Sequence, residues 1–149
     1  MLFKRKSIRV VEYCAAEVQR QQDTPEHVGH MVRAWDYAVR QHPLILDDVM
    51  TLGALVKPSL NPSGRWRNCY VRVGNDPCPT PDRVSGLMGS WYQDLHLHTP
   101  AENYVSFLEV HPFRDGNGRV AKIILCWLAG ALDDPFSVEI PNPWGISNP

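Results

Sequence analysis

Nine consecutive residues, His111-Pro112-Phe113-Arg114-Asp115-Gly116-Asn117-Gly118-Arg119, bring together the parts of a phosphate-handling site. Two glycines flanking an asparagine let the backbone enter left-handed conformations and come close to a ligand. An apolar helical stripe starts directly after them, and free N–H groups at a helix N-terminus, curled into a nest, form a ready anion site. Arg119, in the first helical turn, adds a planar cationic fork suited to phosphate oxygens. Asp115 offers the oxygen ligand that Mg²⁺ shared with nucleotide phosphates takes. His111 has a side chain suited to accepting a hydroxyl proton near neutral pH. Together these groups point to phosphoryl or nucleotidyl transfer, in which positioning and charge neutralisation supply most of the catalysis.

Other readings of the same run are weaker. Asp-Gly and Asn-Gly are also strong hairpin turns, but both flanks here carry helical rather than alternating periodicity. A calcium loop needs more carboxylates than the one present. Phe113 reads as an apolar anchor for the loop.

The elements that must hold this loop are helices. Thr24-Pro25-Glu26, Thr80-Pro81-Asp82 and Thr99-Pro100-Ala101-Glu102 each read as a helix start. In each, threonine is available as a cap, proline stands at the first helical position and an acid lies at the positive end of the dipole. Thr99 with Glu102 also fits a reciprocal capping box. Apolar stripes at helical spacing follow each start: Val28, Met31, Val32, Trp35 and Val39; Val84, Leu87, Met88, Trp91 and Leu95; Tyr104, Phe107 and Leu108, then His111. Past the loop, Val120, Ile123, Ile124, Trp127, Leu128 and Ala131 form another wide apolar face. A weaker stripe, Ile8, Val11, Ala15 and Val18, marks a first helix, and Asp47-Asp48 begins a short one running to Lys57.

Between Pro58 and Pro79 the helical signal stops. Asn61-Pro62-Ser63-Gly64 reads as a turn, and Cys69-Tyr70-Val71-Arg72-Val73 as an extended segment ending at Gly74-Asn75. From Lys57 to Asn75 there are four cations (Lys57, Arg65, Arg67, Arg72) and no carboxylate, so the segment reads as a basic flap. After Leu132 periodicity fades and an extended strap or disorder is expected. The predicted fold is all-α. Helices within 1–43 pack on a core spanning 44–132, which carries a flap at 61–75 and the loop at 111–119, and an extended tail follows at 133–149.

Bulk properties limit the alternatives. At 149 residues the chain can bury a core without staples, and a net charge of −1 gives no general attraction to nucleic acid or membrane. The basic start Lys4-Arg5-Lys6 is not followed by an apolar stretch, and no run approaches the roughly 18 apolar residues of a membrane span. The four cysteines lack a CxxC pair and are expected reduced and mostly buried, which suits a cytoplasm. Delivery into another cell by a dedicated apparatus would leave no such mark. His27-x-x-His30 and His96-x-His98 lack completing ligands for a metal and read as surface residues and a polar helix end. Trp66, between Arg65 and Arg67, is expected to pack under the flap, the alternative being contact with a target.

The run from His111 to Arg119 resembles the signature of the Fic family, His-x-Phe-x-Asp/Glu-Gly-Asn-Gly-Arg-x-x-Arg. The likeness continues upstream through Gly64-Arg65-Trp66-Arg67, Val71-Arg72-Val73 and Pro79, and covers roughly Leu44 to Ala131. The resemblance implies a protein adenylyltransferase with ATP as donor and Mg²⁺ as cofactor. His111 would take the proton from a target Tyr, Thr or Ser. Asp115 would hold the metal, and Gly116, Asn117 and Gly118 would form the anion hole for the α- and β-phosphates. Arg119 would meet the distal phosphates, and a target protein would add as a strand along the flap, Tyr70, Val71, Arg72, Val73 and Gly74. Asn117 and Arg119 would thus join His111 in the catalytic set.

The signature's last arginine is Lys122 here, which keeps the charge but loses the bidentate fork. It opens the alternatives of UMP or phosphocholine transfer. Phosphate transfer is disfavoured by the intact Gly-Asn-Gly-Arg stretch. Removal of AMP from a modified protein, and a non-catalytic nucleotide- or protein-binding module, complete the set. Many family members carry Ser/Thr-x-x-x-Glu-Gly/Asn, a helix that sets an inhibitory glutamate against the second arginine. No such stretch is found in this chain, so any restraint is expected from a separate, antitoxin-like partner.

Overall fold

The computed structural model describes residues 2–41 and 43–142. Among the described residues six α-helices account for nearly all regular structure: α1 (Leu2–Arg20), α2 (Glu26–Arg40), α3 (Leu46–Val56), α4 (Pro81–Gln93), α5 (Pro100–Val110) and α6 (Asn117–Leu128). Short 3-10 turns occupy Leu95–Leu97 and Pro135–Ser137. The sheet is a two-residue hairpin, β1 (Arg72–Val73) and β2 (Asp76–Pro77), antiparallel with Arg72 opposite Pro77 and Val73 opposite Asp76. The chain is all-α, as its periodicity predicts.

The three threonine-proline starts fall at the beginnings of α2, α4 and α5, but they work differently. Only Thr99 closes a capping box: its Oγ1 accepts from Glu102 N–H at 3.1 Å while Thr99 N–H donates to Glu102 at 2.9 Å. Thr80 makes no side-chain cap, and Thr24 Oγ1 donates instead to Glu26. Proline's preset φ and missing N–H suffice to start those two helices. Helix α3 is fastened by Asp48, whose carboxylate accepts from Ile45 N–H at 2.9 Å and from the Tyr37 hydroxyl at 2.7 Å.

Helix α6 runs through the centre and is buried on every side from Arg119 to Trp127. It packs against α5, α3 and α2, with α4 covering α5 and α1 covering α2. The expected stripe on α1 is corrected. Ile8 and Val11 are exposed, and the buried face is Tyr13, Cys14, Glu17 and Val18. A glutamate in the middle of that face hides the stripe from a reading that counts only apolar residues.

The tail after Leu132 docks on the core as far as it is described. Trp35 Nε1 donates to Leu132 O at 2.8 Å, and the Phe136 ring packs edge-on against Tyr13 with the Arg9 guanidinium over it. Residues 143–149 lie outside the described part. Cys14 and Cys126 are buried, Cys69 and Cys78 half-buried, and all four are free thiols. Burial pushes the Cys126 thiol up to about 12, which makes it inert as a nucleophile. Among the described residues no helix is long and apolar enough to cross a membrane.

Candidate functional site

The loop between α5 and α6 takes its shape from a few close fits. His111 ends α5 in the left-handed region (φ 53°, ψ 63°), and Gly116 caps α6 in the same region (φ 81°, ψ 9°). A Cβ at Gly116 would also stand 2.9 Å from Val56, so glycine is required twice over. Between them Phe113 enters the core and packs against Gly53 of α3, where an added Cβ would stand 2.2 Å from the Phe113 ring. Trp66 covers the same ring from the flap side, centroids 5.7 Å apart, so its expected place under the flap is the observed one.

Three polar side chains tie this loop down. Asn117 uses both ends of its buried amide on one residue: Oδ1 accepts from Phe113 N–H at 2.9 Å and Nδ2 donates to Phe113 O at 2.8 Å. Buried Asn61 donates to Gly53 O at 2.9 Å and to Asp115 O at 2.8 Å. Arg67 donates to four main-chain carbonyls, those of His111, Cys69, Pro79 and Val110, and so joins both ends of the flap to the end of α5. Asn61 and Arg67 escaped the sequence reading, because an Asn-Pro turn and one of several flap cations look like surface.

The flap is accordingly less basic than its composition. Arg67 is buried among carbonyls and Lys57 is buried in ion pairs with Asp23 and Asp115. Tyr70 is exposed, and Gly74 turns the hairpin with φ 60°.

A cleft of about 400 Å³ opens between the flap and the start of α6. It is lined by His111, Asp115, Gly116, Asn117, Gly118 and Lys122, faced by Val71, Arg72 and Val73, and bordered by Ile140, Pro141 and Asn142 of the tail. Tyr70 and Gly74 of the expected docking set flank that stretch without lining the cleft, and Arg119 lies behind it, 2% exposed.

His111 Nδ1 lies 2.9 Å from Leu108 O, a contact only an N–H can make, so Nδ1 carries the proton and Nε2 is the acceptor. Burial pushes its pKa below the ordinary value, with Arg67 adding to the effect and the Leu108 hydrogen bond and Asp115 opposing it. The imidazole is therefore neutral, and a base, at neutral pH.

Asp115 is half-exposed. Its Oδ1 accepts from Gly116 N–H at 2.8 Å and its Oδ2 lies 3.3 Å from Lys57 Nζ. A single carboxylate beside an anion cradle fits Mg²⁺ that arrives on nucleotide phosphates and keeps water and phosphate oxygens as its other ligands. Among the described residues no group of three or more His, Cys, Asp or Glu is placed to hold a metal by itself. His27 is buried rather than on the surface, its Nδ1 2.9 Å from His30 Nδ1.

At the end of α1 a glutamate faces the twelfth signature position, although the chain lacks the Ser/Thr-x-x-x-Glu-Gly/Asn stretch. Glu17, 2% exposed, accepts from Lys122 Nζ at 2.5 Å and also pairs with Arg20 and Gln21. Burial alone would raise the Glu17 pKa, but the charge and hydrogen bond of Lys122, helped by Arg20 and Gln21, hold it below the usual carboxylate value. Burial lowers Lys122, and Glu17 offsets part of that. The sequence hid this contact because Tyr13 and Val18 stand where Ser/Thr and Gly/Asn would flag such a helix.

Residues 43–129 match the Fic/DOC family. The chain belongs to the Fic/DOC family. A protein adenylyltransferase Fic from Nematostella vectensis is 26% identical over 97 residues, covering 58% of this chain and 23% of that protein. This Fic chain therefore spans about a quarter of its curated relative. Among solved structures, a Fic family protein from Desulfovibrio desulfuricans G20 superposes with TM-score 0.71 at 17% identity, covering 89% of this chain and 51% of that one. A Fic-1 fragment from C. elegans gives 0.56 at 22% identity, over 74% and 37% of the two chains. A Fic domain protein from Bacteroides thetaiotaomicron VPI-5482 gives 0.54 at 17%, over 69% and 47%. These likenesses, all under 25% identical, carry the fold.

Proposed function

We propose that the chain transfers AMP from ATP to a Tyr, Thr or Ser hydroxyl of a target protein held along the flap. One observation carries the reading: a cleft in which a neutral imidazole, the glycine-rich start of α6, one carboxylate and a strand-like flap edge all meet. The target hydroxyl oxygen attacks the α-phosphorus, its proton passes to His111 Nε2, the bond from that phosphorus to the bridging oxygen breaks, and pyrophosphate leaves. The backbone N–H groups of Asn117 and Gly118, at the start of α6, bind the charge on the phosphates, while the Gly116 N–H orients Asp115. The Asn117 side chain acts through the loop it fastens, because both ends of its amide are on Phe113. Mg²⁺, held by Asp115 with the phosphates, would supply charge neutralisation. Val71 to Val73 offer main chain to an incoming peptide, a mode that positions a hydroxyl without reading the target's whole sequence.

The Glu17–Lys122 pair supports a restraint built into the chain, in place of an inhibitor from outside. It also favours a second reading, removal of AMP from a modified protein. A carboxylate on Lys122 closes the distal end of the cleft, while His111 and the anion hole remain available to an AMP-protein and water.

Incubation with α-labelled ATP, CTP, GTP or UTP, Mg²⁺ and a cell lysate, beside His111→Ala, tests the proposal. Label moving from ATP to protein only with intact His111 is the expected result. Label from no donor with either wild-type chain or Glu17→Gln, together with release of AMP from an adenylylated protein, would replace transfer by the second reading.

A further inference from the structure

Lys57 and Arg119 converge on one carboxylate oxygen. Asp23 Oδ2, in the turn after α1, is 2.7 Å from Lys57 Nζ and 2.9 Å from Arg119 Nη1. Both cations are buried, and neither lines the cleft, although Asp115 on its edge lies 3.3 Å from Lys57 and 3.8 Å from Arg119. Gly116 stands at the boundary, where a Cβ would be 3.7 Å from both Lys57 and Arg119 side chains. Lys57 thus borders the anion hole directly, though no sequence motif marks it.

The fit of Asp23 is incomplete. Arg119 Nη1 is buried and makes no hydrogen bond of acceptable geometry despite its closeness to Asp23. A buried guanidinium N–H left unsatisfied is costly, and it indicates a pocket whose shape suits an acceptor other than the planar carboxylate now in it. A tetrahedral phosphate offers oxygens in more directions and answers both a point charge and a fork. The same stretch of chain covers the rest of the anion hole: Gln21 Nε2 would stand 3.2 Å from a Cβ at Gly118, and Glu17 holds Lys122.

We infer that Lys57 and Arg119 form a buried oxyanion site for the pyrophosphate portion of the donor, and that Asp23 is its resident stand-in, displaced when the donor seats. Lys57 is on this account a nucleotide-binding residue. The site deepens the transferase reading and rests on it for the identity of the ligand, while its anion chemistry can be tested alone. Acid does not open it. Burial would raise the Asp23 pKa, but the Lys57 hydrogen bond, the Thr24 N–H and the Arg119 charge hold it down to about 2.

Binding of inorganic pyrophosphate, ATP and AMP to the full chain, measured by calorimetry with Mg²⁺, tests the inference. The variants are Asp23→Asn, Lys57→Met and the double variant. Asparagine keeps the acceptor that Thr24 N–H uses; Asp23→Ser is the second choice should Asp23→Asn not fold. Removing the competing charge is expected to tighten pyrophosphate and ATP by roughly tenfold, the scale of close charge pairs, and to leave AMP nearly unchanged. Lys57→Met in that background is expected to abolish the gain. Pyrophosphate affinity indifferent to Asp23, or a double variant binding as tightly as Asp23→Asn, would overturn it. Failure of the transferase reading would look different, with pyrophosphate still responding to Asp23 but no donor labelling protein.

Discussion

Replacing Glu17 with glutamine separates what the Glu17–Lys122 pair does for the fold from what it does to the donor. The perturbation is nearly isosteric and removes one charge from a pair in which both partners are at most 5% exposed on their side chains. Deleting one partner of a buried pair costs about 3–5 kcal/mol when the remaining charge stays dry. Lys122 lines the cleft and can be rehydrated, and Gln keeps a carbonyl for it, so the loss belongs at or below the lower end of that range. The donor experiences the opposite effect. In the wild type, distal phosphate must displace a charged hydrogen bond worth about 1.5–3 kcal/mol net before it can meet Lys122. Without that competition Mg²⁺-ATP should bind roughly 10- to 150-fold tighter. Thermal melts with and without Mg²⁺-ATP, plus calorimetric titration, read both effects: a lower melting temperature alone, a larger ligand-induced rise, and a smaller Kd. A lower melting temperature with unchanged ATP affinity would make Glu17 a purely structural partner of Lys122, with no hold on the donor.

Three further outcomes follow from the geometry. Gly53→Ala forces a methyl into the Phe113 ring and should destabilise the chain by about 1–3 kcal/mol, seen as a lower urea midpoint at unchanged slope; wild-type stability would contradict the tight fit. Because burial lowers the His111 pKa, the base form persists to lower pH. The acid limb of kcat/KM for transfer should therefore fall only below the ordinary histidine value of about 6.5, and a limb above that would show a protonated imidazole in the free enzyme. Arg67→Met removes donors from four carbonyls, so amide exchange in the flap should accelerate and KM for the target should rise more than KM for ATP; unchanged flap protection would show that the hairpin is held by other contacts.

Helix starts and the glycine-rich loop were legible in the sequence because they depend on local chemistry. Proline's fixed φ opens α2, α4 and α5 whether or not the threonine caps, and Gly116 takes the left-handed conformation its type permits. What escaped was polar and buried. Glu17 sits where the apolar count on α1 breaks, so the stripe of Ile8, Val11, Ala15 and Val18 meets the buried face only at Val18. Lys57, Arg67 and Asp23 look like surface charges until tertiary contacts supply partners, and Asn61 looks like a turn until Asp115 lies across it. Partners 34 to 105 positions apart in the chain, such as Lys57 with Asp23 and Lys122 with Glu17, leave no periodic trace.

On the proposed function, His111 drives transfer of a nucleotidyl group from ATP to a protein hydroxyl. Intact-mass and peptide mass spectrometry of target proteins after incubation with Mg²⁺-ATP and the Glu17→Gln chain tests it most directly, with Glu17→Gln combined with His111→Ala as the control. An adenylyl adduct on a Tyr, Thr or Ser side chain, absent from the control, is the expected result. A phosphoryl adduct, no adduct with intact His111, or the same adenylyl adduct without His111, would contradict it.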